Sequence, residues 1–314
     1  MKFSVFQGSR QGSRQYNQDK LAYAYTKDAI LLVVADGMGG HRHGEIAAQI
    51  AVKMLVEAFQ QSSNEKLRNP SEFLRTQIMR IHERIDSVRI AKNLPEGPRT
   101  TIVAAIVQNK YMYAAHVGDS RLYHFRDKQI LYKTEDHSIV EKLRREGQLD
   151  EKSMRTHPER NKIYNCIGGD KPPDIALTQK YELWDGDSLM LCTDGVWGVL
   201  SDEKITQILL PGNVSETVPK LLNESEIAAG KEGDNMSVIA LQWGDGKQNS
   251  KHAVSNPTMP LGLTKATMID AAGLESTIQR SQTEAAHLLS DDDIEFAIAE
   301  IQAAINKSKK LNPK

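Results

Sequence analysis

A chain of 314 residues has room for one large domain with an appendage, and its 40 Lys and Arg against 41 Asp and Glu leave a formal net charge of -1. That balance excludes a protein built to neutralise a nucleic-acid backbone, and no apolar run approaches the roughly 20 residues needed to cross a bilayer. With 39% hydrophobic and 26% charged residues the composition is that of a folded globular chain, and the start lacks a long apolar region or small-residue cleavage site, so a cytoplasmic protein is expected.

From Met1 to about Trp243, short β-branched and aromatic runs alternate with helical periodicity. Strands are expected at 2–7, 21–25, 30–35, 102–107, 111–117, 121–125, 175–181, 188–192 and 236–243. Connectors as short as Gln108-Asn109-Lys110 and Gly118-Asp119-Ser120 make hairpins, because a parallel crossover needs about a dozen residues. After Gly44-Glu45, the apolar set Ile46, Ile50, Met54 and Leu55 lies on one helical face. After Pro70-Ser71, Leu74, Ile78, Ile81, Ile85 and Val88 do the same. A second pair of helices is expected near 201–210 and 214–229. Helices paired between groups of antiparallel strands predict an α+β fold: an antiparallel β-sandwich flanked by pairs of α-helices, four layers in the order αββα.

At Gly244 the character changes. The stretch 244–262 is polar, holds Pro257 and Pro260, and reads as a linker. Residues 263–314 are Ala-rich and read as a helical extension. Ser290-Asp291-Asp292-Asp293 suits a helix start, and Ile294, Ile298, Ile301 and Ile305 form an apolar stripe that could pair with Leu274, Ile278, Leu288 and Leu289 in a helical hairpin. Such a tail would dock a partner or a second copy of the chain. The cysteines, Cys166 and Cys192, show no metal or disulfide spacing and are expected to be buried and reduced.

The chemistry points to aspartates. Asp36 ends the apolar run AILLVVA and precedes Gly37, a natural hard-cation site, because glycine lets backbone oxygens approach a ligand. The same grammar recurs at Asp119 between Gly118 and Ser120, at Asp194 before Gly195, and at Asp234 after Gly233. Clustered carboxylates without His or Cys companions favour Mg²⁺ or Mn²⁺ over zinc or copper. If they converge, two ions would offset their repulsion and acidify a shared water, an arrangement suited to attack on phosphorus. A guanidinium would then hold the phosphoryl oxygens, and Arg14, five residues before Asp19, is a candidate whose spacing serves a surface salt bridge equally well. His41 and His43 are two apart, not the four apart of a helical zinc pair, and Trp184, Trp197 and Trp243 read as packing residues.

Seven segments occur in the order and approximate spacing of one family: RQYNQD (14–19), VADGMGGHRHGEIAA (34–48), AHVGDSRLY (115–123), EDHS (135–138), HPERNKI (157–163), CTDGVW (192–197) and GDNMSV (233–238). Over about residues 3–243 the chain resembles the metal-dependent Ser/Thr protein phosphatases of type 2C, and within them the bacterial branch, which has Met-Gly-Gly after the first metal aspartate. The resemblance implies a catalytic domain over 1–243. Asp36 would bridge two ions, Mn²⁺ or Mg²⁺, and the Gly37 carbonyl would bind the second. Asp194 and Asp234 would complete the first ion's shell, and Asp119 with Asp194 would hold a third, weaker one. Asp19 would act through water, Arg14 would bind the substrate phosphate, and about 137–170 would form a flap beside the site.

Two positions depart from the family pattern. Animal-type members place a histidine two residues after the bridging aspartate, to protonate the leaving alcohol, where this chain has Met38; His41 stands as a candidate for that role beside a purely structural one. Arg99 stands where the family has glycine, and would either add positive charge near the site or point to solvent. The implied activity is hydrolysis of phosphoserine and phosphothreonine by a water shared between the metals, on phosphoprotein clients of a Ser/Thr kinase. Alternatives are a pseudophosphatase, which would have lost a metal aspartate where none is missing, and a phosphatase of anti-sigma antagonist proteins.

Overall fold

The computed structural model describes residues 1–38, 43–62, 66–94, 97–154, 156–210, 212–244, 253–255, 264–269 and 275–280. Strands β1 (Lys2–Arg10), β2 (Asp19–Tyr25) and β3 (Ala29–Asp36) lead into two long helices, α1 (Gly44–Ser62) and α2 (Pro70–Ala91). Next come β4 (Ile102–Gln108), β5 (Tyr111–Val117), β6 (Arg121–Arg126) and β7 (Gln129–Lys133), then α3 (Ile139–Arg145), the single turn α4 (Glu151–Met154), and the two-residue strands β8 (Ala176–Leu177) and β9 (Tyr181–Glu182). After β10 (Ser188–Cys192) follow α5 (Asp194–Trp197), α6 (Asp202–Leu209), α7 (Val214–Ala229) and β11 (Met236–Trp243), with β12 (Ala253–Ser255), β13 (Thr264–Ile269) and β14 (Glu275–Arg280) beyond.

The strands form two antiparallel sheets, one ordered β12-β1-β11-β10-β6-β7 and the other β14-β13-β2-β3-β4-β5-β8, with β9 also on β5. Period-2 alternation then sorts apolar side chains between layers. On β3, Leu31, Val33 and Ala35 face α1 and α2, while Ile30, Leu32 and Val34 face the other sheet. On β10, Leu189 and Leu191 join that inter-sheet layer, whereas Met190 and Cys192 pack with residues of α6 and α7. Three apolar layers between four structural ones are the αββα sandwich expected from sequence, and each buried Leu, Ile or Val in them contributes roughly 1.5–3 kcal/mol. A strand buried on both faces must read as a continuous apolar run, which is why β3 was legible.

Both long helices follow the predicted faces. Asn69 caps α2 by accepting from the Glu72 N–H at 3.1 Å, Pro70 sits in its first turn, and Leu74, Ile78, Ile81, Ile85 and Val88 are buried. The strand expected at 175–181 is instead split into β8 and β9. Between them the Thr178 hydroxyl accepts from the Ala114 N–H at 2.9 Å, taking a place that a backbone carbonyl would hold in a continuous ladder. Strand β7 was not foreseen, and the turn before it, Asp127-Lys128, has positive φ at both residues, 49° and 64°. Cys192 is buried as expected, Cys166 is only partly so, and both are free thiols.

Beyond Gly244 the expectation of a linker and helical tail meets strands at every described position. Ala253–Ser255 pairs with β1, Thr264–Ile269 with the outer edge of β2, and Glu275–Arg280 with β13. Of the residues expected to pair in a helical hairpin, Ile278 falls within β14 and Leu274 lies outside the described residues. An open sheet edge offers unpaired N–H and C=O groups, and pairing with it overrides a local helical pattern. The stripe Ile294, Ile298, Ile301 and Ile305, with Leu288 and Leu289, lies outside the described residues. Among the described residues no helix is long and apolar enough to cross a membrane.

Candidate metal centre

Strand ends bring the aspartates together. Asp19 opens β2 and Asp36 closes β3, and the antiparallel register sets them directly opposite each other, a like-charge pairing that is unfavourable unless something offsets it. Asp194 follows β10 as the first residue of α5, Asp234 precedes β11, and Asp119 occupies the β5–β6 turn. In that turn Gly118 has φ +98°, and a Cβ there would lie 2.6 Å from the Thr101 side chain, so glycine is required on both counts.

The backbone and loops around these aspartates are held by their neighbours. The Asp36 N–H donates to Thr101 Oγ1 at 3.1 Å, and the Asp36 carbonyl accepts from Thr101 N at 2.9 Å and Thr100 Oγ1 at 2.8 Å. Behind Asp36, Gly37 meets Gly44 of α1 backbone to backbone, where a Cβ on Gly37 would come within 2.4 Å of the Gly44 carbonyl. Asp19 Oδ2 accepts from Thr193 Oγ1 at 2.8 Å, and Thr193 in turn accepts from the Ser237 N–H at 3.0 Å. The loop between β1 and β2 is stitched to Asn235, whose side chain takes the Gln18 N–H at 2.9 Å and donates to the Gln11 and Tyr16 carbonyls. That stitching carries Arg14 onto Asp234: Nε donates to Oδ1 at 2.8 Å and Nη2 to Oδ2 at 2.6 Å.

The electrostatics are those of crowded negative charge without enough positive charge. Loss of solvent pushes the Asp19 carboxyl up to about 7, with the charges of Asp194 and Asp234 adding to it. It pushes Asp194 up to about 6, and Asp194 lies within hydrogen-bonding reach of Asp36. Asp36 and Asp119 are held well above the ordinary range, first by desolvation and then by neighbouring aspartates. Arg14 moves upward through its bond to Asp234.

These residues fit a divalent metal by donor chemistry. Asp19 Oδ1 and Asp194 Oδ1 are buried without a protein partner, and hard carboxylate oxygens with no imidazole or thiolate among them match Mg²⁺ or Mn²⁺. As the side chains stand, no three His, Cys, Asp or Glu close around one point among the described residues, and Asp234 is turned to Arg14. Arg14, Asp194 and Asp234 also line a groove of about 550 Å³ that runs to Val140, Arg144 and Arg160 of the 137–170 segment.

His41 lies outside the described residues. Arg99 does not simply point to solvent: it is half-buried, 4.0 Å from Asp170, and its carbonyl accepts from the Met38 N–H at 3.1 Å. Sequence reasoning missed Thr193, although a hydroxyl residue immediately before Asp194 was the available signal. It quoted Asp136 and His137 without giving them a role. His137 Nδ1 accepts from the Gly118 N–H at 3.2 Å, so the start of the 137–170 segment is tied to the Asp119 turn.

An αββα sandwich that gathers hard carboxylates at one end of its strands, beside an arginine and an open groove, is the architecture of a divalent-metal phosphatase. A profile of the protein phosphatase 2C family matches residues 7–212, and the chain belongs to that family. The serine/threonine phosphatase stp of Listeria welshimeri is 29% identical over 240 residues, covering 76% of this chain and 94% of its own. The crystal structure of the Mycobacterium tuberculosis serine/threonine phosphatase PstP/Ppp superposes with a TM-score of 0.68 at 27% identity, over 78% of this chain and all of that one. The catalytic domain of PstP in complex with two manganese ions gives a TM-score of 0.65 at 26% identity, over 77% of this chain and 98% of that one.

Proposed function

We propose that this chain removes phosphate from phosphoserine and phosphothreonine in proteins, in one hydrolytic step with no covalent phosphoenzyme. The observation that carries the reading is the convergence of Asp19, Asp36, Asp119 and Asp194, all pushed upward in pKa, beside a groove that Arg14 lines. Perturbed carboxyls in a cleft mark functional sites, because burial and like charge are retained there for a reason. Asp36, the Gly37 carbonyl, Asp194 and Asp234 would hold two divalent ions, Mn²⁺ or Mg²⁺; Asp119 with Asp194 would hold a third, weaker one, and Asp19 would act through water. Bound metal supplies Lewis acidity, offsetting the charge of the carboxylates and phosphoryl oxygens and making a nearby water more acidic.

The chain's own residues then orient the substrate. Arg14 forks onto Asp234, and the same planar donor geometry fits two phosphoryl oxygens once Asp234 is engaged elsewhere. The groove of about 550 Å³ toward Val140 and Arg160 would receive the residues flanking the phosphoresidue. Water attacks phosphorus opposite the Ser or Thr oxygen, the P–O bond breaks, and the alcohol departs with a proton as inorganic phosphate is freed. Phosphate release from matched phosphoserine, phosphothreonine and phosphotyrosine peptides tests this. Turnover of the first two in Mn²⁺ is expected, and turnover of the tyrosine peptide alone would overturn it.

A further inference from the structure

The Gly118-Asp119 turn is clamped from two sides. On one, His137 donates its N–H to the Gly118 carbonyl at 3.0 Å and accepts the Gly118 N–H on Nδ1 at 3.2 Å. On the other, the Trp197 indole N–H donates to the Asp119 carbonyl at 2.9 Å. Trp197 is the last residue of α5 and Asp194 the first, three positions apart and so on neighbouring parts of the same helical turn.

The indole is itself held in place. The Arg121 guanidinium lies 3.6 Å over its ring, and Arg121 is fixed by two bonds to Asp136 at 2.8 and 2.7 Å, in a pair with side-chain exposures of only 10% and 1%. Packing alone would be satisfied by any aromatic ring beneath Arg121. The bond from the ring nitrogen to the Asp119 carbonyl does something packing does not require: it spans two segments that carry mutually repelling carboxylates.

We infer that Trp197 is a positioning residue: its indole N–H holds the Asp119 turn against the start of α5, so that Asp119 and Asp194 together form the weaker ion site assigned to them under the proposed function. The inference rests on that reading. A turn released from Trp197 loses its tie to α5 and keeps only the clamp from His137.

Calorimetric titration of Mn²⁺ into the chelator-stripped full chain tests this. Wild type is expected to show two tighter equivalents and one weaker. Trp197→Phe keeps a ring beneath Arg121 and loses the donor; it should keep both tighter equivalents and weaken the third by roughly three- to tenfold, the worth of one hydrogen bond. Its melting temperature in chelator reports whether the fold is retained. A second measurement needs no variant: with indole nitrogens labelled, the Trp197 N–H resonance should shift during the weaker phase of a Mg²⁺ titration. A wild type with only two equivalents overturns the third-ion reading. Three equivalents with an unaltered weaker phase in Trp197→Phe, or an indole signal that stays still throughout, overturns the role of Trp197 alone.

Discussion

Arg14 and Asp234 hold each other through two parallel hydrogen bonds, although one residue is assigned to substrate phosphate and the other to metal. Without metal, the guanidinium supplies positive charge beside Asp234; were Asp234 to turn to an ion, the same guanidinium would be freed toward the groove that Arg14 lines. Metal binding and the readiness of Arg14 would thereby be linked, because an ion held by Asp234 competes with the guanidinium for the same carboxylate charge.

Arg14→Ala separates the two roles. Side-chain exposures of 54% and 35% mean that the ion pair itself is worth no more than about 1 kcal/mol, so Mn²⁺ affinity should stay the same or tighten by at most about fivefold. Loss of a charged phosphate contact should weaken use of a phosphopeptide by roughly 1.5–3 kcal/mol in kcat/KM. Steady-state kinetics beside a metal titration check both, and weaker Mn²⁺ binding with unchanged kcat/KM would reverse the assignment.

Burial and repulsion give the metal-free chain a pH dependence with a defined sign. Asp19 titrates at about 7 in the folded chain against an ordinary 3.8, so between those values the folded state keeps a proton that the unfolded state gives up. Its contribution is therefore fully favourable below about 4 and is lost as pH rises through 7. Melting in chelator should show wild type gaining on Asp19→Asn as pH falls from about 8 to 5, by on the order of a few kcal/mol, and Mn²⁺ should flatten the difference. A constant offset across that range would remove the buried charge from the account.

Residues between Phe3 and Leu241 already fill three packed apolar layers. A chain ending at Gly244 should therefore fold and hydrolyse a small phosphate ester. The lost pairings leave the edges of β1 and β2 open, so the shortened chain should self-associate more than the full one, as light scattering would show. Insoluble or inactive protein would make the added strands part of the catalytic core.

What was legible in the sequence was whatever a strand ending makes local. Asp36 and Asp194 each end a continuous apolar run before glycine, and the sandwich turns such ends into a site. Strand β7 escaped notice because Gln129–Lys133 has no buried residue to mark a face and its turn uses Asp and Lys instead of glycine. The Thr193–Asp19 and Trp197–Asp119 bonds join residues 174 and 78 positions apart, and only the assembled sheets bring them together. Strands β12 to β14 depend on edges offered by β1 and β2, which no local pattern near residue 264 announces.

The most direct measurement is inorganic phosphate released from a phosphothreonine peptide by wild type and Asp36→Asn, each with Mn²⁺ and with excess chelator. Asp36 stands opposite Asp19 and within hydrogen-bonding reach of Asp194, so removing its charge should weaken metal binding at the centre without disturbing β3. Turnover by wild type in Mn²⁺ alone, and none by an Asp36→Asn protein with unchanged circular dichroism, is the expected result. Full turnover by Asp36→Asn, or by wild type in excess chelator, would contradict the metal-dependent account.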